Sequence, residues 1–122
     1  MTSGAIGLLL RAEQVAIFLA GIVVYLANGG NALWLVPALL APDLSMVGYV
    51  GGPRLGAITY NAAHNLVVGL ALIGLGWWSS VGWLLLAGAV LLAHVSADRA
   101  LGYGLKLASD FRDTHLGRIG PR

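Results

Sequence analysis

Cysteine is absent from the 122-residue chain, which excludes a disulfide framework, a thiol catalyst, an iron–sulfur cluster and cysteine-ligated zinc. Charge is almost as scarce: Asp, Glu, Lys and Arg make up 10% of the residues, against about 25% in soluble domains. So little charge cannot clothe a water-facing surface. The chain is also too short for a multidomain enzyme, a doubly wound nucleotide-binding sheet or a large transporter with internal repeats. Seven Lys/Arg against five Asp/Glu is too slight a basic excess to imply nucleic acid as a partner. Gly74-Leu-Gly76 and Gly102-Tyr-Gly104 follow no strand and complete no phosphate-binding fingerprint.

What is present is hydrophobicity, at 58% of residues. Between Glu13 and Arg54 the only charge is Asp43, and from Leu55 to Ala97 there is none. A bilayer-spanning helix needs roughly 20 apolar residues, so each stretch holds two spans. Asn28-Gly-Gly-Asn31, Gly51-Gly-Pro53 and Trp77-Trp-Ser-Ser80 supply the turns. The expectation is an all-α membrane protein: a four-transmembrane-helix bundle over residues 1–105, with helices at about 4–27, 31–50, 54–76 and 81–104. Pro37 and Pro42 each remove a backbone donor, so helix 2 should bend or unwind near Asp43.

Four spans put both termini on one side, together with the Gly51–Arg54 turn, and every Lys and Arg then maps to that side. By the positive-inside rule that side is cytoplasmic. Trp34, Trp77, Trp78 and Trp83 fall near the opposite face, as an interfacial aromatic belt should. No basic segment precedes Ala5–Leu10, and Arg11 and Glu13 interrupt the apolar run, so helix 1 is expected to remain in the mature protein rather than act as a cleaved leader.

Polar residues fall at one depth. At 1.5 Å per residue from the cytoplasmic helix ends, Glu13, Asp43, His64, His94 and Asp98 lie on the order of 10–18 Å inside. Asn61, His64 and Asn65 share a face of helix 3, and His94 and Asp98 share one of helix 4. Ionisable groups at such depth cost about 2.5–3.5 kcal/mol each and should face one another. Three readings follow. The layer is a hydrogen-bonded network that fixes register; or two imidazoles and two or three carboxylates bind a divalent metal such as zinc, manganese or iron; or the groups relay protons. The apolar outer half of every helix counts against a relay. Relative to di-metal helix bundles one carboxylate is missing, which favours a single metal.

On the metal reading His64, His94 and Asp98 are ligands, Asp43 is ligand or base, Glu13 is base or partner, and Asn61 and Asn65 orient them. The chemistry would be metal-assisted hydrolysis of a membrane-proximal substrate. The remaining segment, 106–122, is too polar and glycine-rich to span. It is expected to be a cytoplasmic tail whose basic residues touch anionic lipid. Phe111, Leu116 and Ile119 give it the means to fold back under the bundle, with His115 as a candidate third histidine. Glycines 48, 52 and 56 and alanines 89, 93 and 97 provide small-residue strips for helix association within one chain or in a homo-oligomer. The alternative function is a noncatalytic membrane subunit or small oligomeric carrier.

Four segments, Ala41-Pro-Asp-Leu-Ser-Met-Val-Gly-Tyr49, Gly52-Pro-Arg-Leu-Gly-Ala-Ile-Thr-Tyr-Asn-Ala-Ala-His-Asn65, Ala93-His-Val-Ser-Ala-Asp-Arg-Ala-Leu-Gly-Tyr-Gly-Leu-Lys106 and Phe111-Arg-Asp-Thr-His-Leu-Gly117, resemble the domain-of-unknown-function 4260 family. The resemblance implies a small four-helix protein of the bacterial cytoplasmic (inner) membrane and assigns no activity. A weaker similarity, in residue type alone, is to small inner-membrane metal-dependent hydrolases.

Overall fold

A computed structural model describes residues 4–119; positions 120–122 of the expected tail, with Arg122, lie outside the described residues. Helix α1 (Gly4–Ala27) is followed by α2 (Ala32–Leu40), a 3₁₀ segment (Ala41–Gly51), α3 (Pro53–Ala63), α4 (Leu66–Ser79) and α5 (Gly82–Leu101). A two-stranded antiparallel ribbon, β1 (Asp113–Thr114) and β2 (Gly117–Arg118), closes the chain with Asp113 opposite Arg118.

Three elements are long and apolar enough to cross a bilayer: α1, α2 with its 3₁₀ continuation, and α5. The third expected helix, 54–76, is not continuous. It breaks at His64-Asn65 into α3 and α4, bent by about 40°, and counts as a fourth span only if the bent pair is taken together. The fourth expected helix stops at Leu101 instead of 104. Gly102 at φ 96° turns the chain left-handed there, and Tyr103 N–H closes onto the Asp98 carbonyl at 2.7 Å. The exterior is apolar, with Leu33 86%, Trp78 80% and Val50 90% exposed, a surface suited to lipid.

Helix α5 is the axle. Residues from Gly88 to Ser96 are buried in an unbroken run, and α1, α2 and α4 pack against it. Small residues allow the close approach: a Cβ at Gly21 of α1 would meet Ala93 at 3.1 Å, and one at Gly88 would meet the α4 backbone, Gly69 O and Ile73 N, at 2.6 Å. The 3₁₀ segment lies on α3 in the same manner, Gly48 under Thr59 and the Tyr49 ring over Gly56. Gly48, Gly56, Ala89 and Ala93 are thus engaged within one chain, while Gly52 forms a turn at φ 104°.

The tail returns to the bundle. Asn61 of α3 clasps the Lys106 backbone from both sides, its amide donating to Lys106 O at 2.8 Å and its Oδ1 accepting Lys106 N–H at 2.6 Å. Lys106 and Thr114 are buried and bridge one another, and Phe111 meets Tyr49 edge to face, ring centroids 5.2 Å apart. The His115 Nδ1 accepts the Leu105 N–H at 2.8 Å. Burial, followed by the nearby Arg99 charge, holds the His115 pKa below its usual 6.5.

Three outcomes follow from this packing. Gly88→Ala should lower the thermal midpoint in detergent by on the order of 5–10 °C, since overpacking costs about 1–3 kcal/mol. Gly74→Ala, with open space around it, should leave the midpoint unchanged. Asn61→Ala removes two hydrogen bonds worth together on the order of 2 kcal/mol, so exchange of the Leu107 and His115 amides should quicken roughly 30-fold. Because the undocked His115 takes its proton at a higher pH than the docked one, docking is strongest above pH 6.5 and weakens as pH falls below it. Exchange of the same two amides, corrected for intrinsic rate, should quicken between pH 7 and 5.5, and His115→Asn should flatten that dependence.

Candidate metal centre

The site begins with two backbone carbonyls that lose their helical partners. In the i to i+3 pattern entered at Leu40, the Leu39 carbonyl would accept from residue 42, which is proline and has no N–H. That carbonyl is taken by Nδ1 of His94 from α5. At the end of α3 the His64 N–H bonds back to Asn61 O at 3.3 Å, which leaves the Tyr60 carbonyl free. The His64 ring itself fills that vacancy, Nδ1 to Tyr60 O at 2.9 Å. A carbonyl only accepts, so both Nδ1 atoms carry the proton, and in each neutral ring the lone pair sits on Nε2.

The two Nε2 atoms face each other at 3.0 Å. Asp43 Oδ1 lies 3.1 Å from each of them, and Asp98 Oδ2 lies 3.2 Å from His94 Nε2 and 3.8 Å from His64 Nε2. One ligand atom from each of the four residues falls within 4.8 Å of all the others. Four ligands about 2.0–2.2 Å from a tetrahedral zinc stand about 3.3–3.6 Å apart, so the separations surround the ideal edge. The chemistry points the same way. Four acceptors converge with no donor among them, and 3.0 Å between the nitrogens leaves no room for a proton on each. A single cation would satisfy all four, with each imidazole held by a carbonyl behind it as metal-ligating histidines are.

The histidines are buried, whereas Asp43 is 39% and Asp98 22% exposed in their side chains, so the site opens on the carboxylate side. Tyr60 stacks on the His64 ring at 3.7 Å between centroids and 7° between planes. Above Tyr60 sits the Lys106 ammonium, 4.9 Å from the Tyr60 ring centre and 3.9 Å from that of Phe111. Burial pushes the Lys106 pKa down, while Asp98 and Asp43 pull it up. Arg99 donates to the His64 carbonyl at 3.2 Å.

The other residues singled out from the sequence are placed elsewhere. Glu13 is exposed on α1 and contributes no atom to the convergent set. Asn61 faces the tail backbone. Asn65 caps α4, its Oδ1 accepting Val68 N–H at 2.9 Å, because the break turned it away from the face it would share with His64 on a continuous helix. His115 stands apart from the two inner histidines, beside Leu105. Tyr60 and Lys106 were not among the sequence candidates. The available signal was that Lys106 is the chain's one lysine, set between two leucines.

A search of the curated proteins and a search of the solved structures each returned no match. A family model described as a domain of unknown function, DUF4260, matches residues 7–119. That match takes in all four convergent residues, both helix breaks and the tail that carries Lys106, and on it the chain belongs to the DUF4260 family.

Proposed function

We propose that this chain is a four-span protein of the bacterial inner membrane, both termini cytoplasmic, whose His64, His94 and Asp98 hold one divalent metal, with Asp43 as the base at the open fourth corner, for hydrolysis of a membrane-proximal ester. The observation that carries the metal is the convergence of four acceptor atoms, two of them on imidazoles whose other nitrogens are committed to carbonyls. Two nitrogens and a carboxylate oxygen suit zinc first, then manganese or iron. Orientation follows from the placement of the cations, all on the side that carries the tail.

A metal bound here would lower the pKa of a coordinated water to about 7 and polarise the ester oxygen. Asp43, the most exposed of the four, is the corner at which water enters, and its carboxylate is the base. It takes one proton from the water as the water oxygen bonds to the ester's central atom. The bond to the leaving oxygen then breaks, and that oxygen receives the proton from Asp43. Lys106 lies over the Tyr60 ring, where its positive charge offsets the two carboxylates.

Elemental analysis of the detergent-purified chain should find close to one zinc, manganese or iron per protein. His94→Ala and Asp98→Asn should each lose it, and chelation should lower the thermal midpoint of the wild type but not of these two variants. Asp43→Asn should retain metal and lose about 10²–10⁴-fold in turnover of carboxylate- or phosphate-ester reporters presented in vesicles. Metal-free wild-type protein, unchanged in stability by the substitutions at His94 and Asp98, would end the metal reading and the hydrolase reading with it; metal-free protein destabilised by them would mean that the group is a register-fixing network.

A further inference from the structure

A second polar cavity lies on the tail side of the bundle, between α1, the end of α5 and the tail, with a volume of about 410 Å³. That size falls among small-molecule sites, which run from about 300 to 1,000 Å³. Arg11, Gln14, Arg99 and His115 provide its polar wall, Leu10 and Leu116 part of its apolar one, and no carboxylate lines it. The Asp98 carboxylate, next in sequence to Arg99, is turned away toward His94 at 3.2 Å.

The cations here are not used up by the fold. Arg11 has no hydrogen-bond or ion-pair partner among the described residues, although its guanidinium reaches over Gly102 at the end of α5. Two of the carbonyls at that helix end, of Asp98 and Arg99, are already bonded to Tyr103 and Gly102 N–H, so Arg11 does not serve them. Arg99 makes one hydrogen bond, to a backbone carbonyl, and no ion pair among the described residues. His115 accepts at Nδ1, which in the neutral ring leaves the proton on Nε2 as a donor. Gln14 Oε1 is buried without a partner and demands a donor in return.

We infer that this cavity binds a phosphate-type anion that also carries a hydroxyl, its oxygens taken by Arg11, Arg99 and His115 and its hydroxyl given to Gln14. A phosphate flanked by a glycerol hydroxyl in a lipid headgroup has this chemistry, and so does a soluble phosphate monoanion. Planar guanidinium groups suit phosphate oxygens, and an apolar rim at the membrane surface strengthens their hold. Arg99 touches both this cavity and His64, so the anion would rest beside the Asp–His group. The inference does not depend on a metal.

The test uses the full chain in detergent, with inorganic phosphate as one probe and mixed vesicles of phosphatidylglycerol and phosphatidylcholine as the other. Phosphate binding is read by calorimetry, and lipid retention by native mass spectrometry. Saturable phosphate binding, preferential retention of phosphatidylglycerol, or both are expected. Arg11→Gln and Arg99→Gln should each weaken the signal at least tenfold. Retained lipid that phosphate fails to displace identifies the headgroup as the ligand, and phosphate binding without lipid preference identifies the soluble anion. Arg11→Gln breaks no bond within the described fold, so it remains informative if Arg99→Gln misfolds. Chelator-treated protein should bind equally well, which separates this site from the metal reading. No saturable phosphate binding and equal retention of the two lipids, or binding unchanged in Arg11→Gln, would overturn the inference.

Discussion

A backbone carbonyl that loses its helical partner within an apolar helix bundle must find a donor in the protein. Two such carbonyls, of Leu39 and Tyr60, organise this molecule. Each is released by a helix break, and each is answered by the Nδ1 of a histidine. The same bonds that repair the backbone therefore fix both imidazoles in orientation and tautomer, and turn both Nε2 lone pairs toward Asp43 and Asp98. Backbone satisfaction and site construction are here one event. A straight pair of helices in place of the broken ones would satisfy the carbonyls internally and leave the histidines with nothing to hold them.

The remaining architecture holds these parts in position. Helix α5 carries His94 and Asp98 one turn apart, and glycines on α1 and α4 let those helices pack closely against its neighbouring faces, at Ala89 and Ala93 and at Gly88 and Leu92. The 3₁₀ segment delivers Asp43 from the opposite side, seated on α3 through Gly48 and Gly56. The tail adds the third layer: Asn61 grips its backbone, and Lys106 then lies over Tyr60, which lies over His64. A column of ring, cation and ring thus connects the outermost segment of the chain to the innermost histidine.

Much of this was legible in the residues. Scarcity of charge located the apolar helices, Pro42 marked the place where helix 2 changes its winding, though to a tighter 3₁₀ form and not an unwound one, and a count of depth grouped Asp43 with His64, His94 and Asp98. The break at His64-Asn65 was not legible, because Asn61-Ala-Ala-His-Asn65 contains neither glycine nor proline. It is made by tertiary means, the His64 ring bonding its own preceding turn while Asn65 starts a new helix. Once the helix is broken, the shared face of Asn61, His64 and Asn65 no longer exists, and the asparagines take up structural bonds. Glu13 shared the depth of the group but not its direction, since depth alone says nothing of which way α1 is turned. Lys106 escaped notice because a cation beyond the last span is ordinarily solvated, and only the docked tail buries it.

The 3₁₀ segment has a further consequence, in length. It rises about 2.0 Å per residue against 1.5 Å in an α-helix, so Ala32–Gly51 extends about 35 Å where an unbroken α-helix would extend about 30 Å. A hydrocarbon core about 30 Å thick accommodates the longer element at a tilt of about 30°. Asp43 lies within the stretched part. If the segment spans a bilayer, as proposed above, membrane thickness bears on the carboxylate corner of the Asp–His group.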